Sequence, residues 1–535
     1  MIMAEKELMT NYKVLIPSAG TGSRLKLLSK HVNKALVTVG FKPVISHIIE
    51  KIPNEVQIVI PLGFKGDTVR NYIEFSHPDR RIIFKEIKNF DGEGSGLGHT
   101  MLECKDELQC PFIFCANDTL IKEEFPEPNV NWMGFDNNYD TTQYRSIELN
   151  NEGNVADILS KGASGDFVKP YIGLAGIFDF KLFWDSMNEG KDQGALQIGE
   201  SYGLKFLIDN KIEAKKFTWY DTGNLNSLKR VREIFSSEDD PNILDKPDEA
   251  IWFVKDKVVK YSIDSQFILN RIRRANLIKD YVPNIIDKSD NMYSYQKVEG
   301  EVLSKNPTLY NFSKLLDWLN EFWEKKELSK DNLFDFHRST MSFYKDKTYE
   351  RVQKYFDRFE HIDCEENING IFTPKLADIL NDVDWDYLAK GEAYRFHGDL
   401  HFENILISTS DDKPFTLLDW RQDYGGILEY GDIYYDFAKL NHGFIICHEL
   451  INNNLFKVNH EPGSINFEFL RKNNLVECEA YFKDYIEKNN FDYNKVEMLT
   501  SLIFLNIAAL HHYPYSSLLF YLGKISLFNC LNSKP

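Results

Sequence analysis

Two folds in succession are predicted. A doubly wound α/β domain is expected over residues 11–235, an acidic linker over 236–246, and a second, α+β domain over 247–535. Three observations lead there. At 535 residues the chain exceeds what one hydrophobic core serves. Short apolar strands alternate with helical spacings from Lys13 to Phe235, the pattern of a mostly parallel sheet covered on both faces. Beyond about Leu303 helical spacing dominates.

The elements follow in order. Val14-Leu15-Ile16 is a buried strand that runs into a glycine-rich turn, and Val44 to Ile52 has helical spacing. Val56 to Pro61 reads as a strand, Gly66 to Glu74 as a helix, and Ile82 to Ile87 and Phe112 to Ala116 as further buried strands. The polar run Ser236-Ser237-Glu238-Asp239-Asp240-Pro241 is the linker signal. Ala250 to Val254 and Lys257 to Tyr261 form a hairpin across Lys255-Asp256. An Arg-rich helix over Ser265 to Lys279 and a strand over Met292 to Val298 come next. Short strands are expected at Asn404 to Ile407 and Phe415 to Leu418, and a core helix at Leu499 to Leu510.

Hydrophobic residues make up 43% and aromatics 14%, enough to pack every part. A net charge of −18 argues against a nucleic-acid partner. The seven cysteines contain no C-x-x-C pair, which fits a reducing cytoplasm, and Cys104, Cys110 and Cys115 read as buried thiols. Met1 to Thr10 lacks the apolar run of a signal peptide, and Leu499 to Leu510 is too short to span a bilayer, so a cytoplasmic protein without a membrane span is expected. A homo-oligomer stays open. His31, His47, His99 and His511-His512 read as structural, and Arg271, Arg273 and Arg274 as a solvated helix face or a phosphate contact.

Chemistry concentrates in two places. The first is Ser18-Ala19-Gly20-Thr21-Gly22-Ser23-Arg24, with Lys34 ten residues after Arg24. Glycines after a strand let backbone N–H groups approach phosphates, and two cations can neutralise a departing pyrophosphate. Such a turn alone is also an ordinary structural device. Asp118 at the end of a buried strand and Asp221 in Trp219-Tyr220-Asp221-Thr222-Gly223-Asn224 add two carboxylates, a reasonable magnesium site once triphosphate oxygens are present.

On these residues the segment 11–235 resembles the sugar-1-phosphate nucleotidyltransferase family, which implies a Rossmann-like nucleotidyltransferase domain. Gly20, Gly22, Arg24, Lys34, Asp118 and Asp221 fill the family's motif positions. The resemblance implies nucleotide binding by Ala19, Gly20, Gly22, Gly94 and Gly96, and substrate binding by Lys161 and Gly176. It makes Arg24 and Lys34 catalytic and Asp118 and Asp221 metal ligands. Asn33 stands where the family has proline before Lys34, and no proline follows Lys161.

The second place is His397-Gly398-Asp399-Leu400-His401-Phe402-Glu403-Asn404, with Leu418-Asp419-Trp420 after it. A hydroxyl attacking a γ-phosphate needs a carboxylate to orient it and nearby metal ligands. Asp399 suits the first task; Asn404 and Asp419 suit the second. Residues 247–535 resemble the aminoglycoside phosphotransferase and choline kinase family. That implies a bilobal protein-kinase-like domain, with a small lobe over 247–298 and a helical lobe over 299–535. It makes Asp399 the catalytic base, and Asn404 and Asp419 magnesium ligands. By the same resemblance Lys260 would contact ATP, Gln296 and Val298 would lie in the adenine hinge, and His397 and His401 would brace the loop. Asp432 and Asp436 match a structural acidic segment. No glycine-rich loop precedes Lys260, and the helix after it offers no glutamate partner.

Together these imply a bifunctional enzyme that uses ATP, a second triphosphate such as CTP or UTP, and magnesium in both domains. The kinase would phosphorylate a small molecule, expected to be a sugar at its anomeric hydroxyl, and the transferase would then activate it for surface glycan synthesis. An amino alcohol such as choline, held by a cage drawn from Tyr424, Tyr430, Tyr434 and Tyr435, is the alternative substrate. A binding protein with one decayed half is the alternative of another class.

Overall fold

The computed structural model describes residues 11–26, 28–237, 248–408 and 413–532. Most of the expected linker, from Glu238 to Lys246, lies outside them. The chain forms two compact units. One holds the residues through Ser265 together with Ile286–Tyr295; the other holds Gln266–Ile285 and the residues from Gln296 onward.

The first unit is built on a nine-stranded sheet. Its parallel half is Phe112–Cys115, Lys13–Leu15, Gln57–Leu62 and Ile82–Glu86, in that spatial order. The other half is largely antiparallel, so the sheet is mixed rather than mostly parallel. The ten-residue strand Val168–Ile177 runs against Phe112–Cys115 and also pairs with Trp132–Phe135 and Ser146–Leu149.

Alternation along the parallel strands builds two cores. Val14, Ile58, Ile60, Ile113 and Cys115 face one, with the helices Val44–Glu50 and Gly66–Ser76. Leu15, Val59, Phe112 and Phe114 face the other, with Leu97–Glu103 and Phe180–Glu189. Both faces are thereby buried, and continuous apolar runs such as Val14-Leu15-Ile16 are the sequence consequence.

The hairpin Glu249–Val254 and Lys257–Ser262 and the strand Met292–Gln296 belong to a four-stranded sheet. Trp252, Val254, Val259, Tyr261 and Met292 join the first of these cores, and the Trp252 and Tyr72 rings meet edge to face at 4.9 Å. These strands, expected as the small lobe of the second domain, therefore pack as part of the first unit.

The second unit is mainly helical. The helix Ile433–Ile445 is buried around nearly its whole circumference, and Tyr493–Ala508 packs against both it and Tyr515–Asn532. The expected short strands form as Ile405–Ser408 and Phe415–Leu417; they pair antiparallel, with Gly300–Val302 on the other side of Ile405–Ser408. No helix among the described residues is long and apolar enough to cross a membrane.

Candidate active sites

In the first unit the strand Phe112–Cys115 ends just before Asp118. The chain then forms Thr119–Ile121, which pairs with Trp219–Asp221 so that Asp221 lies opposite Thr119. Register thus brings Asp221 beside Asp118. A Cβ on Gly223 would lie 2.6 Å from Asp118 Oδ2 and 3.0 Å from Asp221 Oδ1, so both carboxylates converge on one point. Only glycine leaves that point open. The Gly223 amide donates to Asp221 Oδ1 at 2.9 Å, and the Tyr144 hydroxyl and Asn224 amide donate to Oδ2 at 2.8 and 3.0 Å.

Lys34 forms an ion pair with Asp118, and Arg24 lies 3.6 Å from the same oxygen. Burial alone would raise the Asp118 pKa; the Lys34 ammonium and then Arg24 overcome it and hold the group below the ordinary carboxylate value. Asn33 explains its own substitution for proline. Fully buried, it donates to the Ser18 and Phe64 carbonyls at 3.0 and 2.6 Å, and its side-chain oxygen accepts from the Ala35 amide at 2.9 Å. It thereby ties the glycine-rich turn to the short turn that carries Lys34. Gly22 has φ 67°, and a Cβ there would press on Lys34 Cβ at 3.0 Å. Ala19 is buried at the start of this turn, and the space beside Gly20 is open.

Other expected residues fall elsewhere. Gly96 packs its backbone against Leu196 and Gly94 lies near Asn89, both in the loop before the helix Leu97–Glu103. Gly176 makes room for the Trp132 indole inside the sheet. Lys161 is exposed in a turn. Gly173 has φ 71°, and a Cβ there would lie 3.0 Å from Ala116 Cβ, so it is the glycine of that strand that approaches the Asp118 turn. Tyr144 carried no sequence signal. It reaches Asp221 from 77 positions away, and burial, then the Asp221 charge, raise its pKa.

In the second unit the loop His397–Asn404 is fastened from below. Asp436, on the buried helix, accepts the His397 and Gly398 amides at 2.8 and 2.7 Å and the Trp323 indole N–H at 3.2 Å. Burial pushes its pKa up to about 6. Gly398 has φ 86°, and a Cβ there would strike Arg421 Cβ at 2.7 Å, so the loop admits Arg421 only with glycine.

Asp399 is held on two edges. Lys439 Nζ lies 2.8 Å from Oδ1. On the other edge the Asn404 amide lies 3.4 Å from Oδ2 and also donates to the Asp399 carbonyl at 2.9 Å, while His401 Nε2 is 3.7 Å from Oδ2. Burial would raise the Asp399 pKa, but Lys439 and then His401 hold it well below the ordinary value, so it is ionised. Glu403 links the His401 and His448 rings at 2.9 Å each. His401 braces the loop as expected; burial works against its charge, yet Asp399 and Glu403 raise its pKa to about 10.

Asp419 sits at φ 54° after the strand Phe415–Leu417 and forms an ion pair with Arg271. The Arg-rich helix is therefore not a solvated face at Arg271 and Arg274, which are both buried; Arg274 stacks 3.7 Å over Phe396 and donates to its carbonyl at 2.5 Å. Where a glutamate was sought on this helix, the helix instead presents a cation to Asp419. Lys260 lies buried on the strand Lys257–Ser262 of the first unit; Gln296 is exposed at a strand end, and Val298 is half-buried beyond it.

The tyrosines proposed as a cage are already engaged. Tyr424 is fully buried, Lys495 Nζ stands 4.3 Å over Tyr434, and Lys347 and Lys439 lie 5.4 and 5.9 Å over Tyr435. Tyr430 packs on Phe336.

The converging carboxylates Asp118 and Asp221 suit magnesium. That ion keeps few protein ligands and takes its remaining oxygens from phosphates, and the point left open by Gly223 between Asp118 and Asp221 fits such a site.

Residues 308–449 match the Phosphotransferase enzyme family, abbreviated APH. The chain is 25% identical over 220 residues to the Bifunctional protein GlmU of Methanococcus maripaludis, covering 39% of this chain and 51% of that protein. It is 23% identical over 254 residues to the protein of the same name from Methanocaldococcus jannaschii, covering 46% and 59%. The chain thus spans about half the length of the curated relatives it matches. Among solved structures, the CTP:phosphocholine cytidylyltransferase LicC of Streptococcus pneumoniae superposes with a TM-score of 0.37 at 17% identity, covering 42% of this chain and all of that one.

Proposed function

We propose that this chain, a nucleotidyltransferase fused to a kinase of the aminoglycoside phosphotransferase type, phosphorylates a small metabolite with ATP and then attaches a nucleotidyl group to the product. One observation carries the reading: each unit has its own ionised carboxylate with its own cations, Asp118 with Lys34 and Arg24, and Asp399 with Lys439. A binding protein would have no need to keep both.

In the kinase step the acceptor hydroxyl donates to Asp399, which orients it and takes its proton as the new O–P bond forms and the bond from the γ-phosphorus to the bridging oxygen breaks, releasing ADP. In the transfer step a phosphate oxygen of that product attacks the α-phosphorus of a second triphosphate such as CTP or UTP. Arg24 and Lys34 offset the charge of the departing pyrophosphate. Magnesium, held by Asp118 and Asp221 in one unit and by Asn404 and Asp419 in the other, would supply charge neutralisation of the phosphates. Fusion raises the local concentration of the shared intermediate. A sugar phosphorylated at its anomeric hydroxyl, activated for surface glycan synthesis in the cytoplasm, is the substrate reading that the nucleotidyltransferase motifs favour.

The test is a one-pot time course on the full chain. Free sugars and amino alcohols are offered with ATP, then with each of the four triphosphates, and phosphorylated product and pyrophosphate are resolved. Phosphorylation followed by pyrophosphate release is expected. Pyrophosphate release from an unphosphorylated acceptor would sink the proposed order.

A further inference from the structure

One side of Asp399 gathers more positive charge than this one carboxylate neutralises. Lys347 follows the π-helical turn Ser342–Asp346, an irregularity often found at functional sites. Its ammonium stands 4.2 Å over the Phe343 ring, and its one hydrogen-bonding neighbour among the described residues is the Tyr435 hydroxyl at 3.5 Å. Arg421 stacks 4.7 Å over the same Phe343 ring, and its buried Nε has no hydrogen-bond partner. Neither forms an ion pair among the described residues. Lys439 spends its charge on Asp399. Burial first, then Arg421, Lys439 and Arg351, push the Lys347 pKa well below the ordinary lysine value, against the weaker opposing pull of Asp399. Unpaired, desolvated like charges are costly, and an anionic ligand would offset that cost.

The two edges of Asp399 say which ligand. Its Oδ2 edge meets Asn404, the proposed metal ligand on the nucleotide side. Its Oδ1 edge meets Lys439, which lies over the Tyr435 ring that Lys347 also touches. Lys347 therefore stands on the edge turned away from Asn404, and Arg421 lies over the same Phe343 ring as Lys347.

Resting on the kinase reading above, we propose that the acceptor carries an anionic group of its own, a carboxylate or a phosphate, which Lys347 and Arg421 hold while its hydroxyl meets Asp399. Sugar acids and sugar phosphates fit; a quaternary ammonium would be repelled.

The experiment uses the full chain, ATP and matched acceptors: hexuronates against hexoses, glycerate against glycerol, hexose 6-phosphates against the same hexoses, and choline as the cationic member. The carboxylate and phosphate arms separate the two sources of charge. Turnover of an acidic member well above its neutral partner is expected. Lys347→Met and Arg421→Gln should each raise KM for that acceptor by about 10- to 100-fold, the loss of a charged hydrogen bond, with KM for ATP unchanged. Lys347→Arg should restore it. Lys347→Met should not lower the melting temperature, because it removes a half-buried charge that stands among other cations, so lost affinity would not reflect lost folding. Preference for neutral acceptors or choline, or a rise in KM for ATP instead of the acceptor, would overturn this inference and leave the kinase standing. Failure to phosphorylate any member would remove the kinase reading and the inference together.

Discussion

The two candidate sites hold their key carboxylates by opposite means. Asp118 and Asp221 lie beside the ends of paired strands, and of the two cations that keep Asp118 ionised, Lys34 is largely buried on a short turn while the Arg24 side chain is 63% exposed. Swinging such a group from a carboxylate to an arriving triphosphate costs little desolvation. Asp399 instead sits on a loop fastened by buried Asp436, and its counter-charge, Lys439, projects from a helix buried on nearly every side. That charge cannot leave without unpacking the helix. The first site is therefore suited to exchanging partners around a large, highly charged substrate, and the second to holding one base in one place.

The sharpest break comes from Asp399→Asn. The amide keeps the shape but cannot accept the hydroxyl proton, so phosphorylation should fall by about 10²–10⁴-fold, while nucleotidyl transfer to a supplied phosphorylated intermediate continues. Assaying both reactions on one preparation, with a melting curve to verify folding, decides it. Equal loss of both reactions would mean that the two sites do not act separately.

Asp221→Ala should do the reverse. Removing one of the two converging carboxylates should slow pyrophosphate release by about 10²–10³-fold and let the phosphorylated intermediate accumulate in the one-pot time course. If the first phosphorylation stops instead, the roles of the two units are exchanged.

A smaller effect is expected from Tyr144→Phe, which deletes one hydrogen bond to Asp221. The magnesium concentration needed for half-maximal transfer should rise by about 10-fold, as for loss of a group orienting a metal ligand. An unchanged magnesium titration would show that Asp221 needs no such support.

The smallest effect tests the rigid site. Asp436→Asn leaves one oxygen to serve amides that now use two, which should cost about 1–3 kcal/mol and a few degrees of melting temperature. Its pH dependence has a definite sign. Burial raises the Asp436 pKa to about 6, so the folded state binds this proton more tightly than the unfolded chain. The stabilisation is fully present below about pH 4 and is lost as pH rises through about 6. Thermal melts of both proteins between pH 4 and 7 should show that downward component in the native chain only. Parallel curves would indicate that Asp436 is not protonated in the fold.

What the sequence by itself determined is what lies close along the chain. Asp399, Asn404 and the turn carrying Gly20, Gly22 and Arg24 are local, so spacing alone exposes their chemistry, and alternating apolar strands announce a sheet buried on both faces. What only the tertiary structure decided is what distant segments contribute at one point. Tyr144 reaching Asp221, Arg271 reaching Asp419, Lys439 and Lys347 gathering at Asp399, and Trp252 packing on Tyr72 all join residues far apart in sequence. Spacing carries no trace of such pairs. Whether a lysine meets solvent, a carboxylate or another cation depends on which helices and strands pack together, and burial then sets the strength of each charge.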